Sequence, residues 1–229
     1  MLTCSDIREE FINLYRREDF VVDKSGVPVL EICGEAFLVD EDVIFGKINE
    51  DYVRKELDWY LSKSLNIWSI EKPVPKIWQQ VCDKDGFINS NYGFLIFDEQ
   101  NGNQFQECIN ELVTNKFSRR ALLMYNRPSI WKEYNLNGMS DFICTTSVQL
   151  LIRDNKLHYI VNQRSCDVIF GFNNDSQWAK YVHRLAYNML KSNYNDLEMG
   201  NLVFQVGSLH LYAKHHHYVE KFILESAKN

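Results

Sequence analysis

Several features that mark specialised proteins are missing from this sequence of 229 residues. Its 4 prolines and 10 glycines are scattered rather than gathered into a linker, and no internal repeat is present. We therefore predict a single domain over residues 1–229. No apolar run approaches the ~18 residues that span a bilayer, and the first residues lack a basic segment followed by an apolar one. We expect a soluble, cytoplasmic protein that binds no membrane.

Positive charge is also scarce. Lys and Arg total 25 against 31 acidic residues, which disfavours a nucleic-acid-binding protein. The 6 cysteines lie far apart without a CxxC pair, so neither a zinc site nor a disulfide scaffold is indicated and most should be reduced. Consecutive residues cannot all converge on one ion, so the triplet His215-His216-His217 predicts an exposed turn. We expect no metal site.

Hydrophobic periodicity and capping residues outline the secondary structure. Helices are predicted at 6–17 with Thr3 and Asp6 as a capping box, after Asn49 as N-cap, around Trp78, at 104–113 and from Asp175. Strands are predicted at 29–39, 121–125, within 143–169 with a turn at Asp154-Asn155, and at 202–212. Strands and helices do not alternate regularly. We therefore predict an α+β fold with a large mixed or antiparallel sheet flanked by helices.

One run of residues stands apart, NQRSCDVIFG at 162–171. It places an arginine, a serine and an aspartate at the end of a predicted strand, followed by a glycine turn into a helix. Such an arrangement can combine an anion site with a polar ligand site. By itself it does not specify a reaction.

The QRSCD run resembles the signature of the thymidylate synthase superfamily, whose nucleophilic cysteine stands twenty residues before the arginine. Here Cys144 precedes Arg164 by that distance, since 164 − 144 = 20. Other marks of the family follow in order: Glu56, Trp78, Tyr92, Ser118-Arg119-Arg120 and His210-Leu211-Tyr212. The runs FVVDKSGV, PKIWQQV, INSNYG and GMSDF, with residues 170–175, resemble the phage deoxycytidylate hydroxymethylase branch. The resemblance covers nearly the whole chain and implies a thymidylate synthase-like fold.

This resemblance implies one-carbon transfer from 5,10-methylenetetrahydrofolate to C5 of dCMP with addition of water, giving 5-hydroxymethyl-dCMP and tetrahydrofolate. Cys144 would add to C6 as a thiolate, which makes C5 nucleophilic. Arg164 would help the thiol to lose its proton near neutral pH. Glu56 would act as general acid/base and position the water. The structural alternatives are a buried core cysteine and a buried structural glutamate.

Asp175 would select the base, because the synthases carry an asparagine at this place. A carboxylate accepts from the N4–H of cytosine and favours a protonated N3, which also assists addition of the thiol. Asp175 could instead cap the following helix. Asn174 beside it is a candidate for the same cap or for a substrate contact.

The resemblance divides the remaining site residues by ligand. Lys24, Arg164 and Ser165 would hold the 5′-phosphate, completed by Arg119 and Arg120 from the second subunit of a homodimer. His210 and Tyr212 would bind the sugar 3′-hydroxyl, and Tyr92 would also contact substrate. Trp78 would pack against the folate, and Asp167 and Gly171 would bind its pteridine. The alternatives are surface salt bridges for the basic residues and plain packing for the aromatic ones.

This chain differs from the synthases in three places. Ile143 and Thr145 flank the cysteine where the synthases have proline and histidine, and Phe172-Asn173-Asn174 replaces a proline-containing turn. No residue near the end of the chain is identified as a cover for the folate. Two other functions stay open: C5 methylation of dCMP or dUMP, and nucleotide binding without catalysis.

Overall fold

A mixed β-sheet forms the centre of the protein in a computed structural model, which describes residues 1–23 and 26–226. Its strands are β1 (Val21–Val22), β2 (Pro28–Leu38), β3 (Leu122–Met124), β4 (Thr145–Arg153), β5 (Lys156–Asp167) and β6 (Glu198–Tyr212). Their order across the sheet is β1-β2-β6-β5-β4-β3. Neighbouring strands are antiparallel except β5 and β6, which are parallel. The predicted α+β fold is confirmed.

Helices flank this sheet, and local signals explain where the first two long ones start. The α-helices among the described residues are α1 (Cys4–Arg16), α2 (Glu50–Ser62), α3 (Lys76–Val81), α4 (Tyr92–Phe97), α5 (Gln104–Thr114), α6 (Ile130–Glu133), α7 (Phe170–Lys191) and α8 (His216–Ser226). Thr3 and Asp6 form the predicted capping box of α1. The Asn49 side chain accepts the Tyr52 backbone N–H at the start of α2.

The core lies between the sheet and the helices, and part of it is formed by α7. Alternate residues of β5, such as Leu157, Tyr159 and Val161, are buried, as expected for a strand with one covered face. On α7, Val182 and Ala186 are completely buried. Each large apolar side chain contributes about 1.5–3 kcal/mol when it is buried in this way. This packing holds α7 against the sheet.

The start of α7 differs from the prediction, since the helix begins at Phe170 and not at Asp175. The Asp167 carboxylate explains the earlier start, because it accepts the backbone N–H groups of Ile169 at 3.1 Å and of Phe170 at 3.0 Å. The first N–H groups of a helix need such acceptors. Asp175 consequently lies inside α7.

The predicted turn between β4 and β5 is confirmed. Asp154 and Asn155 have φ angles of 50° and 58°, as a two-residue hairpin turn with left-handed central residues requires.

No helix within the described residues is long and apolar enough to cross a membrane.

Candidate active site

A large cleft opens where β5 and β6 end, with a volume of about 1220 Å³. Strand pairing gathers the cleft residues: the Arg164 backbone N–H donates to the Cys144 carbonyl at 3.0 Å, and Asp167 pairs with His210 across β5 and β6. Most of the predicted site residues line this cleft: Cys144, Arg164, Ser165, Asp167, Gly171, Asn174, Asp175, His210 and Tyr212.

The β4–β5 hairpin explains the twenty-residue separation between Cys144 and Arg164, because its two arms place them opposite each other. Arg164 Nη2 lies 3.5 Å from Cys144 Sγ. The same guanidinium donates from Nε to the Ile143 carbonyl at 3.1 Å and from Nη2 to the Phe142 carbonyl at 2.6 Å. It also lies over the Phe142 ring, 5.0 Å from the ring centre. Arg164 is therefore fixed beside the sulfur.

Burial raises the pKa of the Cys144 thiol from its ordinary 9.0 to about 11. The positive charge of Arg164 lowers this pKa, in the predicted direction, whereas the charges of Asp175 and Asp141 raise it. Burial outweighs the guanidinium, so the thiol is protonated at neutral pH. Arg164 alone therefore does not produce the thiolate that we expected from the sequence.

Asp175 lies in the second turn of α7, where its Oδ2 accepts a hydrogen bond from Gln163 Nε2 at 2.7 Å. Burial raises the pKa of the Asp175 carboxyl from 3.8 to about 7, the Gln163 bond lowers it and the charge of Asp167 raises it. The helix-cap alternative is wrong, because Asp175 lies within α7. Gln163, the first residue of the QRSCD run, has no role predicted from the sequence.

Glu56 lies on α2 and is 6% exposed. Its Oε1 accepts hydrogen bonds from the Tyr52 hydroxyl at 2.8 Å and from Trp78 Nε1 at 3.2 Å. Burial raises the pKa of the Glu56 carboxyl from 4.5 to about 8, the charge of Asp175 raises it further, and the two donors lower it. A carboxyl that exchanges its proton near neutral pH is suited to acid/base catalysis.

Two predicted ligand contacts, Tyr92 and Trp78, lie in the wall behind the cleft and do not line it. Tyr92 is 4% exposed, and its hydroxyl accepts a hydrogen bond from the Thr145 hydroxyl at 3.1 Å. Trp78 donates to Glu56. In this structure Tyr92 therefore supports the backbone next to Cys144, and Trp78 supports the general acid/base candidate.

The runs INSNYG and GMSDF, in which only Tyr92 has a predicted role, meet at the buried residues Asn89, Ser90 and Asp141. Asp141 Oδ2 accepts the backbone N–H groups of Asn89 at 2.6 Å and Ser90 at 2.8 Å. Its Oδ1 accepts the Ser90 hydroxyl at 2.6 Å. Because Asp141 lies three residues before Cys144, these hydrogen bonds hold the segment that carries Cys144. Nothing in the periodicity of either run indicates this contact.

His210 and Tyr212 lie on the same face of β6, as predicted, with ring centres 4.9 Å apart in an edge-to-face contact. Two residues with no role predicted from the sequence, Glu31 and Ser208, line the cleft beside His210. Glu31 of β2 pairs directly with His210, and Ser208 precedes His210 on β6. The Ser208 hydroxyl donates a hydrogen bond to the Glu31 carboxylate.

Comparison with known proteins gives a family for this arrangement. The family model described as thymidylate synthase matches residues 45–229. The chain belongs to the thymidylate synthase family. It is 46% identical over 221 residues to the deoxycytidylate 5-hydroxymethyltransferases of Enterobacteria phages T4, T2 and T6. In each case the match covers 96% of this chain and 90% of the relative.

Three other basic residues were expected at the phosphate. Two of them do not line the cleft, and the third is not among the residues that the structure describes. Arg119 and Arg120 are exposed and do not line the cleft, and Arg120 forms an ion pair with Glu111 at 3.0 Å. Lys24 lies outside the described residues. Within one copy of the chain, Arg164 and Ser165 are thus the predicted phosphate contacts that line the cleft.

The histidine triplet at 215–217 spans a short turn and the start of α8. The predicted exposed turn is wrong for His215, which is 7% exposed because its ring packs edge-on against Phe170 at 5.1 Å. Across 1–23 and 26–226, no group of three or more His, Cys, Asp or Glu side chains is arranged to hold a metal ion.

Proposed function

We propose that this chain transfers a one-carbon unit from 5,10-methylenetetrahydrofolate to C5 of dCMP with addition of water, giving 5-hydroxymethyl-dCMP and tetrahydrofolate. The main structural support is that Cys144 and Asp175 line one cleft, with Gln163 holding the Asp175 carboxylate at 2.7 Å. The relatives named deoxycytidylate 5-hydroxymethyltransferase are 46% identical over 96% of the chain.

The size of the cleft supports binding of nucleotide and folate together. Its volume of about 1220 Å³ exceeds the ~300–1,000 Å³ typical of a pocket for one small ligand. A Cβ atom at Gly171 would lie 3.5 Å from the Asp167 side chain, an ordinary contact distance. The protein's own packing therefore does not require a glycine here. This supports a ligand, in our proposal the pteridine, in front of Gly171 and Asp167.

Cys144 performs the covalent step in this proposal. Its sulfur bonds to C6 of cytosine, which leaves the electron pair of the C5–C6 double bond on C5. C5 then bonds to the methylene carbon of the folate as one of that carbon's two bonds to folate nitrogens breaks, and the electron pair of the broken bond stays on the nitrogen. The thiol must lose its proton first, since its pKa is about 11. Arg164, 3.5 Å from the sulfur, stabilises the resulting negative charge.

Asp175 distinguishes cytosine from uracil. With a pKa of about 7, both its protonated and its ionised forms are populated at neutral pH. When its proton passes to cytosine N3, the carboxylate accepts from N3–H through one oxygen and from N4–H through the other. Uracil offers only the N3–H donor and would place its O4 against the second carboxylate oxygen, so the same pair of bonds cannot form. A site built for one hydrogen-bonding pattern strongly rejects the other.

Loss of the C5 proton and cleavage of the methylene carbon's remaining bond to a folate nitrogen, which keeps the electron pair, release tetrahydrofolate and leave a methylene group doubly bonded to C5. Glu56 acts in the last step, in which water adds to that methylene carbon. Its carboxylate takes the proton from the water as the C–O bond forms. The C5–C6 double bond is then restored, and Cys144 is released as the thiolate. Because the pKa of Glu56 is about 8, the carboxyl can both give and accept a proton near neutral pH.

The phosphate site in this proposal needs two copies of the chain. Arg164 and Ser165 contact the 5′-phosphate from one subunit, together with Lys24. The exposed Arg119 and Arg120 contact it from the other subunit of a homodimer. Guanidinium groups suit a phosphate dianion because each offers a fork of N–H donors.

Mass spectrometry of the products tests the function directly. The protein is mixed with 5,10-methylenetetrahydrofolate and either dCMP or dUMP, and we expect addition of CH2O to dCMP alone. The control Cys144→Ala should give no product while still binding dCMP. Addition of CH2 would contradict the water step, and modification of dUMP would contradict the role of Asp175. Tight binding without any product would indicate a nucleotide-binding protein.

A further inference from the structure

Glu31, Ser208 and His210 form a connected group on one wall of the cleft. Glu31 and His210 are direct partners across the antiparallel pair β2 and β6, so their side chains lie on the same face of the sheet. Ser208 lies two residues before His210 and therefore shares that face. All three line the cleft. Glu31 and Ser208 have no role in the reaction proposed above.

The hydrogen bonds in this group have only one consistent set of directions. The Ser208 hydroxyl donates its single hydrogen to the Glu31 carboxylate, because an ionised carboxylate can only accept. Ser208 Oγ, 3.4 Å from His210 Nδ1, is then left as an acceptor toward the ring. The Ser208 carbonyl, 3.3 Å from the same nitrogen, can also only accept. Both neighbours of His210 Nδ1 thus require a hydrogen on that nitrogen.

We propose that Glu31 is a positioning residue that acts through Ser208 to hold neutral His210 in the Nδ1–H tautomer. The ring's other nitrogen, Nε2, then carries a lone pair and accepts a hydrogen bond from a hydroxyl group of the substrate. The edge-to-face contact with Tyr212 at 4.9 Å orients the ring. This assignment of the acceptor rests on the proposed function, in which His210 binds the 3′-hydroxyl of the nucleotide sugar.

Without the Glu31 carboxylate, the donor and acceptor roles in these hydrogen bonds are no longer fixed. In Glu31→Gln the side-chain NH2 group can donate to Ser208 Oγ, which frees the serine hydrogen to donate to His210 Nδ1. In Glu31→Ala the serine hydrogen is also free. The Ser208 carbonyl still accepts from Nδ1–H in both variants. Both changes therefore raise the population of the Nε2–H tautomer, in which the substrate hydroxyl loses its acceptor, without abolishing the Nδ1–H form.

Nitrogen NMR of the full chain, labelled with 15N in its histidine rings, measures the tautomer without any turnover. Spectra are recorded at about pH 8.5, where a free imidazole is neutral, and the His210 signals are assigned with a His210→Asn variant. We expect the wild type to hold Nδ1–H and both Glu31 variants to shift the population toward Nε2–H. Glu35→Gln, on the same strand but outside the cleft lining, should match the wild type. An Nε2–H ring in the wild type, or no shift in either variant, would overturn the proposal.

Binding of dCMP supplies the second readout. Loss of one hydrogen bond to a hydroxyl should weaken dCMP binding about fivefold in Glu31→Gln. The 2′,3′-dideoxy analogue of dCMP, which lacks that hydroxyl, should bind both proteins equally. Equal weakening for both ligands would contradict the part assigned to Nε2. If the protein does not turn over dCMP, the proposed function fails but the tautomer result still decides the role of Glu31.

Discussion

Replacing Glu56 by glutamine should raise the free energy of unfolding by an amount that depends on pH, while turnover falls at every pH. Glu56 has a pKa of about 8 in the folded protein against an ordinary 4.5, so the folded state binds this proton more tightly than the unfolded chain. The stabilisation is complete below about pH 4.5 and is lost as the pH rises through 8. At about 1.4 kcal/mol per pH unit, the loss reaches at most about 5 kcal/mol.

The amide oxygen of glutamine can still accept from Tyr52 and Trp78, but the side chain has no charge to bury. Relative to wild type, Glu56→Gln should therefore gain stability steadily between about pH 4.5 and 8 and gain no more above that range. Urea unfolding at pH 5, 7 and 9, at one fixed protein concentration, measures the difference. Turnover should fall about 10²–10⁴-fold at every pH.

Glu50→Gln is the matched control, because Glu50 is exposed at the start of the same helix. Its stability relative to wild type should change little across the same range. A constant difference between Glu56→Gln and wild type from pH 5 to 9 would refute the reasoning, since it would mean that the Glu56 charge is not buried at a cost.

Substitutions at three further positions test other parts of the site. Asp175→Asn should shift kcat/KM from dCMP toward dUMP, by about 100-fold or more in the ratio measured with both nucleotides. Gly171→Ala should leave the free energy of unfolding within about 1 kcal/mol of wild type, because a Cβ fits there, while the KM for the folate rises; an unchanged KM would exclude a ligand at this glycine. Asp141→Ala removes three hydrogen bonds and should lower the free energy of unfolding in urea by about 2–4 kcal/mol. Asp141→Asn should lower it less. The same Asp141→Asn change should speed alkylation of Cys144 by iodoacetamide, because it removes the negative charge that raises the thiol pKa.

The parts of the fold that follow from local signals could be predicted from the sequence. The Thr3 capping box, the Asn49 cap and the Asp154-Asn155 turn depend on residues within a few positions of each other, and the structure has all three. The predicted start of α7 is too late, because periodicity does not show that Asp167 accepts the first N–H groups of the helix.

The parts of the site that depend on distant pairing could not be predicted in this way. The motif located Cys144 and Arg164 because a hairpin keeps their separation fixed. Glu31 meets Ser208 only because β2 pairs with β6, and Asp141 meets Ser90 across 51 residues of chain. Neither contact leaves a periodic or spaced pattern in the sequence. Residues that support a catalytic group from another element are therefore found by structure first.

In the proposed reaction, burial links selection of the base by Asp175 to activation of Cys144. It raises the pKa values of Cys144, Asp175 and Glu56 together, so the neutral form of each group is favoured. An ionised Asp175 raises the pKa of the Cys144 thiol further. When Asp175 shares a proton with cytosine N3, its negative charge is balanced, and the thiolate beside Arg164 becomes easier to form. Uracil cannot balance that charge in the same way, since its N3 already carries a hydrogen. The same hydrogen bonds that select cytosine should therefore also lower the barrier to attack by Cys144.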